Sequence, residues 1–145
     1  MSLLTKEELL VKKSSLPDSG KGLFTRVFIP KGTRIVEYTG TVTTWKEVED
    51  DADNGYIYFY NSRHVIDAAP HKDALARYAN DAAGLSRVKG ISNNSVYEKS
   101  KGRVYIKAEK DIPAGAEILV SYGKDYWDQV RKNIKIEARN KRKSS

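Results

Sequence analysis

The chain has 145 residues, of which 39% are hydrophobic and 31% charged, and this suits one globular domain with a real core. It has no cysteine, which excludes disulfides, thiolate catalysis and the usual structural zinc sites, and its two histidines do not suggest a metal centre, so no metal is expected. The net charge is +7, and no apolar run approaches the roughly 20 residues of a membrane helix, so no membrane partner is expected.

The predicted elements are mostly short strands, because runs rich in Val, Ile, Tyr and Phe alternate with Gly, Pro and Asn. In chain order the predicted strands are Leu9–Lys13, Gly22–Phe28, Arg34–Tyr38, Tyr56–Tyr60, His64–Asp67, Ser92–Tyr97, Arg103–Ala108 and Glu117–Ser121. Helices are fewer. The predicted ones are a helix from the capping-box spacing at Thr44 to about Asp51, a short helix or turn at Ala74–Ala79, and a terminal helix at Tyr126–Arg139. The predicted fold class is therefore mostly β, with several small sheets and few short helices.

One pattern occurs twice along the chain. Ile29-Pro30-Lys31-Gly32 leads into an apolar strand that ends at Tyr38, and Ile112-Pro113-Ala114-Gly115 leads into another that ends at Tyr122. The Pro-x-Gly pieces predict turns, because proline fixes φ and glycine accepts a positive φ. Two interpretations stay open: two ordinary hairpin turns, or two tyrosines that are brought to a common site.

Five short stretches follow one another in a characteristic order. They are Ser19-Gly20-Lys21-Gly22-Leu23-Phe24, Glu37-Tyr38-Thr39-Gly40, Arg77-Tyr78-Ala79-Asn80-Asp81, Ser92-Asn93-Asn94-Ser95-Val96-Tyr97 and Ile118-Leu119-Val120-Ser121-Tyr122-Gly123. Together they resemble the SET domain of protein lysine methyltransferases, from about Val11 to Trp127. The resemblance implies a β-clip-like SET fold with a C-terminal pseudoknot. It divides the chain into an N-terminal extension (1–8), the SET domain (9–127) and a C-terminal helix with a basic tail (128–145).

The resemblance also implies which residues bind S-adenosylmethionine, the expected cofactor. Main-chain contacts are assigned to Lys21 and Gly22, and the amide of Asn80 would hold the amino acid end of the cofactor. Asp81 stands where the family has histidine, whose main chain contacts adenine, so Asp81 keeps only the main-chain part of that role. Trp127 is expected to pack near the adenine.

Three tyrosines are expected to form the catalytic part of the site. By resemblance Tyr122 is the catalytic residue, and Tyr38 and Tyr97 line the channel that takes the lysine. Phenol rings suit such a channel, because they give flat apolar walls with an oxygen at the tip. Asn94 is expected to be a buried, hydrogen-bonded structural residue at the pseudoknot, and Asn93 replaces the proline that the family has before it.

The expected activity is S-adenosylmethionine-dependent methylation of a lysine in a protein or peptide. Small members of the family often form pairs, so a homodimer is a further expectation.

Two alternatives to this activity remain. One is a catalytically silent SET-like module that binds a peptide or cofactor, which Asp81-Ala82-Ala83 favours. The other is a small nucleic-acid-binding β domain. Residues 131–145 carry seven basic residues and one acid, so nucleic acid contact is expected only through this tail. The expected location is intracellular and cytoplasmic, with the nucleus left open.

Overall fold

The fold is seen in a computed structural model, which describes residues 3–17, 19–51, 56–61, 63–83 and 88–122. Ten strands account for most of the regular structure. They are β1 (Leu9–Lys13), β2 (Lys21–Thr25), β3 (Arg34–Glu37), β4 (Thr41–Thr43), β5 (Ile57–Asn61), β6 (His64–Asp67), β7 (Ser95–Ser100), β8 (Arg103–Ala108), β9 (Glu117–Ile118) and β10 (Val120–Ser121). One short α-helix, α1 (Trp45–Val48), and three 3₁₀ turns at Lys6–Glu8, Glu49–Asp51 and Leu75–Tyr78 complete the described elements. The predicted fold class is confirmed.

The strands form three small sheets. Their orders are β1-β2-β9, β10-β7-β8-β3 and β4-β6-β5, and all described pairings are antiparallel except the parallel pair β10 and β7. Strands β9 and β10 are separated by one residue, Leu119, yet they belong to different sheets. The segment that approaches Tyr122 therefore links two sheets, and this connection sets where Tyr122 lies.

One core joins the sheets. Its fully buried members come from strands of two sheets and the loops between them, and include Leu23, Ile35, Ile106, Ile118 and Val120. Burying a side chain of this size contributes about 1.5–3 kcal/mol, so the core fixes how the sheets meet. Several tyrosines pack against its edge.

The repeated Ile-Pro-x-Gly segments pair with each other. Ile29 and Ile112 form an isolated antiparallel bridge in which each main-chain N–H donates to the other's oxygen over 2.8 Å, and both side chains are fully buried. The two segments are thus neighbours in the core, and the strands that follow them start from one place.

Element bounds differ from the predictions where tertiary packing decides them. The predicted strand Glu117–Ser121 is divided between two sheets, and the predicted strand Ser92–Tyr97 begins at Ser95, because the preceding asparagines bond other segments. Strand β4 was not predicted. The helix after Thr44 is present, although the Thr44 side chain makes no capping hydrogen bond. The predicted helix Tyr126–Arg139 lies outside the described residues, and within the described ranges no helix is long and apolar enough to cross a membrane.

Candidate active site

Four tyrosine rings gather where the sheets meet. Tyr97 is central: its ring lies 6.0 Å from the ring of Tyr38 in an edge contact, 5.1 Å from Tyr58 and 6.3 Å from Tyr122, on which it stacks at an interplanar angle of 22°. Tyr38 and Tyr58 are 5.9 Å apart. The three tyrosines named from the sequence are therefore brought together, and the rings that end the two repeated segments both contact Tyr97.

Tyr58 is the member of this cluster that the sequence analysis did not name as a site residue. It lies in the aromatic strand β5, opposite Ile66 on β6, and packs against the core. Burial raises the pKa of its hydroxyl, and the neighbouring Tyr60 raises it further. This shift indicates that a charge is poorly solvated beside the cluster.

The hydroxyls of the two outer rings are bonded to main-chain oxygens. Tyr38 donates to the oxygen of Tyr56 over 2.6 Å, and Tyr122 donates to the oxygen of Ala79 over 2.6 Å. Each ring is thus fixed at its tip as well as by packing. The Tyr122 oxygen, having donated its proton to Ala79, can act toward any further group only as an acceptor.

Two cavities approach the cluster. The larger, of about 700 Å³, is bounded by Tyr58 and Tyr97 and by charged side chains such as Glu98, Lys99 and Lys107. The smaller, of about 440 Å³, is bounded by Tyr122 together with Ser19, Gly20, Lys21, Tyr56, Arg77, Tyr78 and Asn80. Tyr97 is among the residues that line the larger cavity and Tyr122 is among those that line the smaller one, and the rings of these two tyrosines stack. Both volumes are within the range of small-ligand sites.

Asn80 and Lys21 meet in the smaller cavity. The Asn80 side-chain amide donates to the main-chain oxygen of Lys21 over 3.0 Å, which ties the turn after the 3₁₀ segment to the start of β2. Gly20, just before Lys21, has a φ of +62°, a conformation that glycine adopts without strain. The backbone therefore turns sharply at Gly20, and main-chain atoms of this turn face the cavity.

Gly22 faces inward. A Cβ at this position would overlap the carboxylate of Glu117 and would lie 3.2 Å from the Cα of Ser14. Glu117 is itself buried and accepts hydrogen bonds from the Ser14 hydroxyl at 2.7 Å and the Ser15 N–H at 3.0 Å. The glycine is required because this carboxylate packs against the strand, and the carboxylate in turn anchors the loop before Gly20.

Arg77 lines the smaller cavity, and the sequence analysis gave it no role in the site. Its guanidinium lies 4.0 Å over the ring of Tyr56 and 5.1 Å over that of Tyr78, and its Nη1 donates to the main-chain oxygens of Ala68 and Ala69. Among the described residues its buried Nε has no hydrogen-bond partner. A buried donor without a partner is costly, so this position suits an acidic ligand group.

Asn94 lies where the C-terminal segment crosses. Its amide donates to the oxygen of Glu117 over 2.9 Å, and its Oδ1 accepts from the N–H of Leu119 over 3.0 Å. On the other side of the same segment, Val120 N–H donates to the oxygen of Asn80 over 2.9 Å. The segment is therefore held between residue 80 and residue 94, as the pseudoknot expectation requires. Asn94 makes the expected hydrogen bonds, but it is half-buried, so the prediction of a buried residue is wrong.

Two expectations from the sequence concern residues that the structure does not describe, or describes only in part. Trp127 and the basic tail lie outside the described residues. Within the described ranges no group of three or more His, Asp or Glu side chains has an arrangement suited to a metal ion.

Comparisons with known proteins complete the description of the site. A family model described as "SET domain" matches residues 20–123. Similar curated proteins include Histone-lysine N-methyltransferase EZH2 of Chaetomium thermophilum, 27% identical over 139 residues, and Histone-lysine N-methyltransferase set-1 of Caenorhabditis elegans, 26% identical over 125 residues. These alignments cover 87% and 79% of this chain but 9% and 50% of those proteins. The chain thus spans half or less of these two relatives. Among solved structures, the methyltransferase domain of human PR domain-containing protein 2 aligns with a TM-score of 0.60 and 26% identity, over 82% of this chain and 79% of that one.

Proposed function

Since the chain belongs to the SET-domain family, we propose that it transfers a methyl group from S-adenosylmethionine to a lysine side chain of a protein or peptide. The observation that carries the proposal is the stacked pair Tyr97 and Tyr122, of which Tyr122 lines the smaller cavity and Tyr97 the larger. A donor in the smaller cavity and a lysine entering from the larger one would meet at these rings. Similarity to proteins named histone-lysine methyltransferases supports the reaction class.

The residues around the smaller cavity fit S-adenosylmethionine. The cofactor has a carboxylate and an ammonium at one end, and the cavity offers the Arg77 guanidinium, the Asn80 amide and the main chain at Lys21. The buried Nε of Arg77 is the donor that most needs an acceptor. When bound, this cofactor supplies an electrophilic methyl group on a positively charged sulfur.

The tyrosine cluster would make the incoming lysine reactive. A lysine amine has an ordinary pKa near 10.4 and attacks only in its neutral form. Desolvation of the amine beside the tyrosine rings would disfavour the ammonium and so lower the pKa of the amine. The raised pKa of Tyr58 supports this, because the same poor solvation that disfavours a phenolate there disfavours a lysine ammonium. No strong general base is required.

Tyr122 would align the reacting groups. Its hydroxyl proton is bonded to Ala79, so its oxygen presents lone pairs to the reacting centre and can accept weak C–H···O contacts from a polarised methyl group. Alignment of two bound reactants can contribute about 7–11 kcal/mol. Rings fixed at their tips suit this role, because alignment depends on rigid walls.

A direct transfer assay tests the proposal. The protein is incubated with S-adenosylmethionine that carries an isotopic methyl label and with a lysine-rich protein such as histone, and the products are examined by mass spectrometry. We expect label on a lysine, either of the added protein or of the chain itself. Heat-denatured protein is the control for background labelling. If calorimetry detects binding of the cofactor but the folded protein transfers no more label than this control, the silent binding module is the better description.

A further inference from the structure

Two residues that depart from the family pattern are bonded to each other. Asp81 stands in place of histidine and Asn93 in place of proline, and the Asn93 amide donates to the Asp81 Oδ1 over 2.8 Å. They are 12 residues apart in the chain. The two departures are therefore complementary, because the amide at position 93 donates to the carboxylate at position 81 in a partly buried hydrogen bond.

The carboxylate of Asp81 connects three segments of the site. Only 5% of the residue is exposed. Its Oδ1 also accepts from the N–H of Ala83 over 2.8 Å, and its Oδ2 accepts from the N–H of Tyr122 over 2.9 Å. Asn93 completes the arrangement, since its own Oδ1 accepts from the N–H of Ala82 over 2.8 Å.

We infer that Asp81 is a positioning residue for Tyr122, and that Asn93 holds the Asp81 carboxylate in the orientation that this role needs. The inference rests on the proposed function of Tyr122. It assigns the side chain of Asp81 a task separate from the main-chain cofactor contact that the resemblance implies. The departure from the family pattern is then a working replacement, which favours an enzyme over a silent module.

Tyr122 is held at two points by one short turn. Asp81 binds its main-chain N–H, and Ala79, two residues earlier, accepts its hydroxyl proton. Asn80 lies between them and accepts from Val120 through its main chain. Rotation or withdrawal of the ring would therefore break contacts with this turn, and the turn is bonded through Asp81 to Asn93.

The charge on Asp81 matters because its oxygens accept from three N–H donors, those of Ala83, Asn93 and Tyr122. A carboxylate only accepts and can serve them all, whereas a neutral amide has an NH₂ group that must face one of them. The favoured orientation of an amide would keep the two contacts of Oδ1 and turn its NH₂ group toward the N–H of Tyr122. Hydrogen bonds to a buried charged acceptor are also about twice as strong as neutral ones.

The test compares Asp81→Asn with the double variant Asp81→Asn plus Asn93→Asp. In the double variant the new amide at position 81 can donate to the new carboxylate at position 93, which leaves its oxygen for the Tyr122 N–H. Asp111→Asn is the matched control, because that exposed carboxylate also accepts a main-chain N–H, from Lys31. Three quantities are measured: turnover at saturating substrates, KM for the cofactor, and the chemical shift and exchange rate of the Tyr122 amide proton in ¹⁵N-resolved spectra.

For Asp81→Asn we expect turnover to fall by about tenfold or more, the scale of one charge-assisted hydrogen bond, with KM for the cofactor changed by less than about threefold. The Tyr122 amide proton should move upfield and exchange faster, and the double variant should regain part of both the turnover and the amide shift. Turnover of Asp81→Asn equal to that of Asp111→Asn, or an unchanged Tyr122 amide, overturns the inference.

The amide measurement keeps this inference separate from the proposed function. If the unmodified protein transfers no methyl group, the proposed function fails, while the amide of Tyr122 still reports whether Asp81 holds it. If Asp81→Asn does not fold, Asn93→Ala gives the milder change. It removes one contact of the carboxylate and should lower turnover and shift the Tyr122 amide in the same direction, and no change in either contradicts the inference.

Discussion

The hydroxyl of Tyr122 donates a hydrogen bond of 2.6 Å to the main-chain oxygen of Ala79. This contact orients the phenol oxygen of a ring that lines the smaller cavity. For Tyr122→Phe we expect turnover in the methyl-transfer assay to fall by about tenfold or more, because the oxygen is lost. Cofactor affinity should be retained, since the ring that lines the smaller cavity remains. Steady-state kinetics and calorimetry with the demethylated cofactor measure the two effects.

Tyr105→Phe is the matched control for this prediction. Tyr105 lies on β8, where its ring packs under the Arg34 guanidinium at 4.5 Å, and it is not a member of the tyrosine cluster. It should keep full turnover. Equal activities of the two variants would remove Tyr122 from the reaction.

Asn80 connects the cofactor cavity to the start of β2 through its bond to the Lys21 oxygen. For Asn80→Ala we expect cofactor affinity to weaken by about tenfold, because both the amide and the main chain that it holds are lost from the cavity wall. Isothermal titration calorimetry gives the affinity directly. Asn61→Ala is the control, since the Asn61 side chain bonds a main-chain N–H at an exposed turn. An affinity that falls equally in both variants, or in neither, would assign Asn80 a structural role alone.

The sequence predicts the parts of the fold that depend on local patterns. Seven of the eight predicted strands lie close to observed ones, and three of them agree at both ends: Leu9–Lys13, His64–Asp67 and Arg103–Ala108. The stretch Glu117–Ser121 is an example that local patterns do not predict correctly. Its residues favour one extended strand, yet the Asn94 side chain binds Leu119 in the middle and separates two strands that join different sheets. Such a division depends on a partner 25 residues away.

The candidate site shows the same contrast. Tyr38, Tyr97 and Tyr122 could be named because they lie in recognisable motifs, and their rings are brought together. Tyr58 carried a weaker signal, since the strand around it contains three alternating tyrosines and nothing local distinguishes the middle one. Its place in the cluster follows from the register of β5 on β6, which pairs it with the buried Ile66. The contact of Asp81 with Tyr122 spans 41 residues and has no local signature.

Gly22 has a packing constraint that can be tested as stability. For Gly22→Ala we expect unfolding free energy to fall by about 1–3 kcal/mol, because the new methyl group would overlap the Glu117 carboxylate. In a Glu117→Ala background the same change should cost less, since the overlapping group is absent. Denaturant unfolding of the four proteins gives this coupling. Additive costs would show that Glu117 is not the reason for the glycine.

Glu98 provides a prediction about pH. Hydrogen bonds from Lys107, at 3.0 Å, and from Arg34, at 2.6 Å, hold the pKa of Glu98 below its ordinary value of 4.5. Because the pKa is lowered in the folded state, its contribution to stability is present above about pH 4.5 and is lost as the pH falls through the folded value. Glu98→Gln should therefore melt below the unmodified protein at neutral pH.

That difference should shrink as the pH falls below about 4.5 and through the lowered pKa of Glu98, because the carboxylate becomes protonated there. It should also shrink in about 1 M salt, because the three side chains are partly exposed and their attraction is screened. Melting curves across this pH range measure it, with Glu47→Gln as the control, an acid for which the described residues show no ion pair. A difference that persists unchanged at low pH would mean that the glutamine disturbs packing, and that the ion pairs of Glu98 contribute little.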